Sequence, residues 1–516
     1  MDLRRLLAEC EQYSDSEAVF QSETAETRLS FPKLVAGVRK LVRELRNTGL
    51  TSAALVGIQG KNGYDWLLLD LALIEIGATL MAFPENEQLD LGAVVEKYDL
   101  AFFATDRRDA GDPRKWVVEL SRLSAPDWPS SNDLELRIPS ATGPQEKAPD
   151  LLTQTFSSGT SGYLKGLNIS RKGTELLVQE FVEAFHLGPN DRMAIFLPFS
   201  NYQQRMLAYA CLYHGISVLC TPFIRVLREL RQFRPTVLIA PPAFYDQIIR
   251  LHFRGDHPSA ALRDSFGGNI RVLITGMAPV PRRLLETYEH CGIHILEVYG
   301  VVETGMISWN TIDRHRVGTM GKSLDSTTIM LSDDGEIIVG KLAPLSLGYF
   351  ECRPGDQEKT YLSPTKIATG DLGSFDQDGY LEFKGRVKDV LVTSAGVKFS
   401  PTEVEERFAG ICGITSTTVV HLNENDALVL GVFLVDNLRT AQRSGIEAKI
   451  DKVNKTIESF KRLNRIVVTD LIFTAENGLL TRNMKKDRRA IAKYFQNTAE
   501  SGRIFHQETL ADTSIR

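Results

Sequence analysis

Between residues 31 and 83 the apolar residues change from helical to extended spacing twice over, and that alternation limits the fold more than any other feature. From Phe31 to Leu50, the side chains Leu34, Val35, Val38, Leu41, Val42 and Leu45 fall on one helical face, with Gly49 placed as a C-terminal cap. The apolar run AALVGI follows, then a helical stretch from Tyr64 to Ile76 and a second apolar run from Thr79 to Phe83. Strand, helix, strand in that order predicts a parallel crossover, and a parallel sheet needs cover on both faces. The rhythm returns with strands expected at Met193 to Phe199, Ile216 to Cys220, Thr236 to Ala240, Arg271 to Thr275 and Ile293 to Val298. The expected class is therefore α/β, with a large N-terminal region of doubly wound parallel sheets.

After Asp371 the texture changes to short β-like segments around DQDGYLEF, and a small α+β domain is expected beyond Lys388. Ser400-Pro401-Thr402-Glu403 reads as a capping box, with Ser400 as N-cap and Glu403 reaching back. Strand-like STTVVHL and ALVLGVFLV come next, then a helix around Ala441 to Arg462. The expected division is 1–387, 388–497 and a polar, disordered tail at 498–516. MDLRRLLAECEQ at the start reads as a short surface helix, too charged for a signal peptide, and no stable membrane insertion is expected. Ser121 to Asp150, rich in Pro, Ser and charge, is expected to run over the surface.

A net charge of -5 over 516 residues, with no basic block, argues against nucleic acid as a partner. Six cysteines, scattered with no C-x-x-C pair, fit reduced thiols and a cytoplasmic location.

The stretch Thr155-Phe156-Ser157-Ser158-Gly159-Thr160-Ser161-Gly162-Tyr163-Leu164-Lys165-Gly166 is suited to holding phosphate. Its glycines allow successive N–H groups to line one concavity, the hydroxyls add donors and Lys165 adds charge. The plainer alternative is a flexible Gly/Ser linker. It is not a Walker loop: the nearest G-K-S, Gly318-Thr319-Met320-Gly321-Lys322-Ser323, has too few residues between its glycines.

The loop and the segments that follow, in their order, resemble the adenylate-forming (ANL) superfamily, and within it the AMP-dependent acyl-CoA synthetases of fatty-acyl or bulky-acyl type. Gly276-Met277-Ala278-Pro279 resembles the segment along the adenine face. Tyr299-Gly300-Val301-Val302-Glu303-Thr304 resembles the motif whose aromatic stacks on adenine and whose glutamate helps hold Mg2+. Thr369-Gly370-Asp371 resembles the ribose-binding motif, and Gly385-Arg386-Val387-Lys388-Asp389 the hinge motif, with Arg386 near the ribose and Lys388 at the pivot. NGLLTRNMKKDRR, Asn477 to Arg489, resembles the catalytic-lysine segment, with Lys485 in that role.

The resemblance implies ATP (or a ready-made acyl-adenylate), Mg2+ and CoA as cofactors and substrates, with a small-molecule carboxylic acid as the acyl donor. Lys485 would bridge carboxylate and α-phosphate while the hydroxyl loop and the metal offset the leaving pyrophosphate. Rotation about Lys388 would then bring the Gly396-Val397-Lys398 turn to the nucleotide, so Gly396 and Lys398 are expected along the CoA channel. Each residue also has an ordinary reading: Lys485 and Glu303 as surface charges, Asp371 and Gly396 as turn residues. Lys486 is the neighbouring candidate for the lysine role. The lysine segment looks like those of fatty-acyl enzymes, so a bulky apolar acid is expected, with Phe199, Tyr202, Phe244 and Tyr245 as pocket candidates or plain core.

Several positions depart from the family's commonest residues: Leu164 for proline, Ser161 for threonine, Val302 for threonine, and no histidine after Leu197-Pro198. Most concern ATP, which raises the alternative of thioesterification alone, from an adenylate made by a partner enzyme. Acyl transfer to a carrier-protein thiol and a silent acyl-nucleotide-binding protein are further alternatives.

Overall fold

The computed structural model describes residues 1–107, 114–126, 128, 134–137, 148–158, 164–252, 258–392, 398–423, 426–435, 443–474, 477–480, 486–499 and 504–506. The amphipathic stretch forms the helix Phe31–Asn47, which buries the expected stripe; Thr48 caps it and Gly49 follows at φ +92°. The strand Leu55–Gln59, the helix Tyr64–Ile76 and the strand Thr79–Ala82 make the expected crossover, the two strands pairing in parallel.

That pair lies inside a seven-stranded sheet, in spatial order Ser346–Glu351, Leu164–Ser170, Leu151–Ser158, Thr79–Ala82, Leu55–Gln59, Phe102–Thr105, Val117–Glu119. The five recurring apolar runs form the middle of a nine-stranded sheet as Arg192–Ile195, Ser217–Cys220, Val237–Ile239, Val272–Thr275 and Ile295–Val301, parallel to one another. One core joins the two sheets: Val56 and Leu80 of one share a buried cluster with Met193 and Val218 of the other. The helices Phe31–Asn47, Tyr64–Ile76, Arg171–Ala184 and Tyr202–Tyr213 contribute to the same cluster. Doubly wound α/β architecture is the result the spacing predicts, because each parallel sheet presents two apolar faces.

A third sheet carries Thr327–Leu331, Glu336–Lys341, Lys366–Phe375 and Tyr361–Ser363, with Leu381–Arg386 paired on Lys366–Phe375. Farther along, the strands Ile414–Asn423, Asp426–Val435 and Arg465–Thr469 join the helices Pro401–Phe408, Arg443–Thr456 and Arg488–Ala499 in an α+β arrangement.

Four local expectations need correction. The capping box is half formed: the Ser400 hydroxyl accepts from the Thr402 N–H at 3.3 Å, but Glu403 turns away to Lys461 at 2.5 Å, a charge partner stronger than one N–H. The first helix is no surface element, because Leu3, Leu6, Leu7 and Cys10 are buried in the main core. Within the segment expected to cross the surface, Trp128 is likewise buried. Past Asn497 the chain is not wholly without structure, since Ile504–His506 pairs in parallel with Arg465–Thr469.

All six cysteines are free, four of them buried. No helix among the described residues is long and apolar enough to cross a membrane.

Candidate active site

The phosphate-loop candidate caps an antiparallel hairpin of Leu151–Ser158 and Leu164–Ser170, with Ser157 opposite Lys165 and Phe156 opposite Gly166. Gly159, Thr160, Ser161 and Gly162 lie outside the described residues, as does the Ser158 side chain. A Cβ on Gly166 would stand 2.4 Å from the Phe350 ring, so glycine is what lets the strand Ser346–Glu351 pack against the hairpin. That third strand delivers Tyr349. The Lys165 ammonium lies 4.8 Å from the Tyr349 ring centroid and 3.0 Å from Asp356 Oδ2. The Tyr349 hydroxyl in turn donates to Glu303 Oε1 at 2.6 Å. Burial first, and the Glu303 carboxylate second, push the Tyr349 hydroxyl's pKa far up, so it stays a donor.

Glu303 sits in the three-residue turn Val302–Thr304 between the strands Ile295–Val301 and Gly305–Trp309. A Cβ on Gly300 would fall 1.9 Å from the Gly305 carbonyl oxygen, so this tight return requires glycine there. Three residues before the turn's start, Tyr299 points to another element: its hydroxyl donates to Asp371 Oδ2 at 2.9 Å. Arg386 is the cross-strand neighbour of Asp371, and its Nε lies 3.1 Å from Oδ1. The Asp371 N–H donates to the Thr369 hydroxyl at 3.1 Å, which holds the carboxylate's orientation behind Gly370 at φ +72°. Tyr299 and Asp371 are both buried, and the Tyr299 hydroxyl's pKa is raised by burial and then by Asp371. Gly276 follows the neighbouring strand Val272–Thr275; a Cβ there would meet the Val298 carbonyl oxygen at 2.4 Å. It brings Met277, half-buried, and the exposed Ala278 and Pro279 alongside the Tyr299 strand.

The segment Leu197–Arg205, where the usual histidine is missing, is fastened to the hairpin. Thr155 Oγ1 donates to the Ser200 carbonyl at 2.8 Å, and Asn62 bridges the Leu197 carbonyl and the Phe199 N–H, each at 2.7 Å. Arg205 is wholly buried, 3.2 Å from both Asp70 Oδ1 and Thr153 Oγ1. Removing either member of such a buried pair strands the other, so this wall is rigid.

These features suit a nucleotide: a hairpin strand carrying a lysine, a carboxylate on an adjoining turn, and an Asp–Arg–Tyr group drawn from three strands. A family model described as AMP-binding enzyme matches residues 6–343. The chain belongs to the AMP-binding enzyme family. FadD15, a long-chain-fatty-acid–CoA ligase of Mycobacterium bovis, is 24% identical, with 91% of each chain covered. A Rhodococcus jostii protein described as 3-[(3aS,4S,7aS)-7a-methyl-1,5-dioxo-octahydro-1H-inden-4-yl]propanoyl:CoA ligase is 26% identical over 77% of this chain and 81% of its own. ATP-bound MatB from Rhodopseudomonas palustris shares the fold, with a TM-score of 0.77 at 20% identity, covering 97% of this chain and 100% of that one. The architecture is therefore that of the adenylate-forming enzymes.

In this AMP-binding enzyme, Lys388 occupies the turn Val387–Asp389, where partial desolvation lowers its ammonium pKa. The turn is crowded: a Cβ on Gly385, at φ +133°, would lie 2.1 Å from Ser400 Oγ. Lys398 is exposed, 3.6 Å from Asp334 Oδ1, while Gly396 and Lys485 lie outside the described residues. Lys486 donates to the carbonyl of Thr417, in the strand Ile414–Asn423, at 2.6 Å. Its neighbour Arg488 pairs with Glu405 at 3.2 Å and donates to the Val419 carbonyl at 2.8 Å.

The four aromatic pocket candidates fall into two separate cores. Phe199 packs on Trp66 at 5.2 Å, and the Tyr202 hydroxyl bonds Thr174 Oγ1 at 2.6 Å. Phe244 lies 5.0 Å from Phe196, and the Tyr245 hydroxyl donates to the Ile274 carbonyl at 2.9 Å. All four are buried in the fold itself, which is their plainer reading. Sequence reading missed Tyr349 and Asp356; the only available signal was the strand-like SLGYFE, whose place beside the hairpin is a long-range contact.

Proposed function

We propose that this protein is an acyl-CoA ligase that activates a bulky apolar carboxylic acid as its adenylate, releasing pyrophosphate from ATP, and then passes the acyl group to CoA. The observation that carries the reading is that one strand and the turn after it link two groups: Glu303 in the turn bonds Tyr349, whose ring carries Lys165, and Tyr299 in the strand bonds Asp371, paired with Arg386. The bulky apolar acid is suggested by the relatives, whose names span a long-chain fatty acid and a fused-ring propanoate.

In this reading the hairpin N–H groups and hydroxyls, with Lys165, bind the β- and γ-phosphates. Asp371 accepts from the ribose hydroxyls, its carboxylate held in place by Tyr299 and Arg386. Among the described residues only Tyr349 bonds the Glu303 carboxylate side chain, so one hard oxygen is left for a magnesium ion. Magnesium bound there would supply charge neutralisation for the departing pyrophosphate. Lys485 places its ammonium between the carboxylate and the α-phosphate, where charge builds in the transition state. Holding both reactants in line removes up to about 7–11 kcal/mol of the barrier. The lid then turns about Lys388, withdrawing Lys485 and presenting Gly396 and Lys398 to the pantetheine arm.

Product analysis with ATP, CoA and a carboxylic-acid library, run beside chemically made adenylates, tests this. AMP and a thioester in equal amounts are expected; AMP without thioester would refute the second half.

One observation favours a second reading, thioesterification alone. Lys165 is already neutralised by Asp356 at 3.0 Å, a pairing a triphosphate must displace, and Val302 adds no donor. ATP–pyrophosphate exchange separates the two: brisk exchange with any acid dismisses the second reading.

A further inference from the structure

We propose that Glu289, His294 and His315 form a surface site for a borderline transition-metal dication, zinc fitting best. Three separate elements supply the side chains: the last turn of the helix Arg282–His290, the residue before the strand Ile295–Val301, and the loop after Gly305–Trp309. Their ligand atoms all lie within 4.8 Å of one another. His294 Nδ1 and His315 Nε2 face the same oxygen, Glu289 Oε1, at 2.6 and 3.7 Å, and the two imidazole rings are 4.6 Å apart. The longer distance is beyond a hydrogen bond. It is close to the ~3.3 Å that bonds of about 2.0–2.1 Å at tetrahedral angles impose between ligands. The shorter contact has to open by about 0.7 Å, which rotation of an exposed side chain allows.

Two imidazoles and one carboxylate suit zinc, with cobalt, nickel and copper as competitors, and leave a fourth position to water. Magnesium and calcium prefer all-oxygen shells of six or more ligands and fit poorly. The site is also remote from Glu303. His294 precedes the strand whose far end leads into the Glu303 turn, about 20 Å away at ~3.3 Å per residue.

A bound ion would fasten the loop carrying His315 to the helix–strand corner. The same loop already reaches the turn beyond Asp371: Arg316 lies 2.6 Å from Asp378 and also pairs with Asp376, and the Gly318 N–H donates to Glu297 Oε2 at 2.9 Å. The proposed role is therefore a clamp that steadies this loop rather than chemistry on substrate.

The test uses the full chain stripped with a chelator, then titrated with zinc by calorimetry and with cobalt by visible absorption. One equivalent of zinc is expected to bind and raise Tm, millimolar magnesium leaving the binding unchanged, and cobalt is expected to give tetrahedral bands. His294→Asn with His315→Asn is expected to weaken zinc at least about 100-fold while melting with the wild type in chelator. Glu289→Gln serves as an independent variant with an intermediate loss. Failure to bind at about 0.1 mM zinc overturns the proposal, as does equal affinity in the double variant, which would place the metal elsewhere.

Discussion

The Tyr349 hydroxyl donates to Glu303 Oε1 at 2.6 Å while its ring carries the Lys165 ammonium at 4.8 Å, so one side chain couples the phosphate hairpin to the carboxylate turn. The Glu303 carbonyl also accepts from the Ser346 N–H at 3.1 Å, which ties the same turn to the strand that bears Tyr349. Glu303 therefore approaches a nucleotide in one orientation, set by neighbours distant in sequence.

Tyr349→Phe keeps the ring beneath Lys165 and removes only the hydroxyl. A hydrogen bond to a charged group is worth about 1.5–3 kcal/mol, so ATP-dependent thioester formation should fall about 10- to 100-fold in kcat/KM. A double-mutant cycle with Glu303→Gln should be strongly non-additive. Unchanged kinetics in Tyr349→Phe would show that the bond has no part in orienting Glu303.

Asp371→Asn removes the charge that Arg386 pairs with and one acceptor of the proposed ribose contact. KM for ATP should rise about ten-fold or more, with a smaller change in kcat. Equilibrium binding of AMP measures the same loss directly. An unaltered AMP affinity would remove Asp371 from the site.

Adjacent lysines separate chemistry from folding. Lys485→Ala should abolish adenylate formation and leave Tm within error of the wild type. Lys486→Ala should instead lower stability by about 1–3 kcal/mol, because it strips the buried Thr417 carbonyl of its donor. Urea melts and single-turnover assays on both variants check the assignment, and the reverse pattern would exchange the two roles.

Glu297 sets a pH dependence. Burial pushes its carboxyl up from 4.5 to about 7, partly countered by the Gly318 N–H. A folded-state value above the unfolded one means that this group's stabilisation is full below about pH 4.5 and fades as pH rises through 7. That interval is worth about 3 kcal/mol at most. Glu297→Gln cannot ionise, so in chelator it should melt above the wild type at pH 8 and match it near pH 5. Parallel Tm profiles for the two proteins would show that Glu297 titrates normally.

Periodicity and local motifs made much of this molecule legible. The helices Phe31–Asn47 and Tyr64–Ile76 follow directly from side-chain spacing, and the parallel strands from apolar runs of the right length. Tyr299, Glu303, Asp371 and Arg386 could be singled out as candidates, because each sits in a short contiguous motif, and the structure joins Tyr299, Asp371 and Arg386. Other features were not: Glu403 turned to a lysine 58 residues away, and Phe199 and Phe244 went to different cores.

By itself, then, the chain's order of residues determined the α/β class, the family and the few side chains held in contiguous motifs, since those depend on backbone preference and near-neighbour chemistry. Tertiary structure alone decided that Tyr349 bridges Lys165 and Glu303, that Lys486 is spent on a buried carbonyl, and that His315 meets Glu289 and His294. Each of these joins residues far apart along the chain, and such a contact comes into being only when sheet order and packing have brought its strands and loops together.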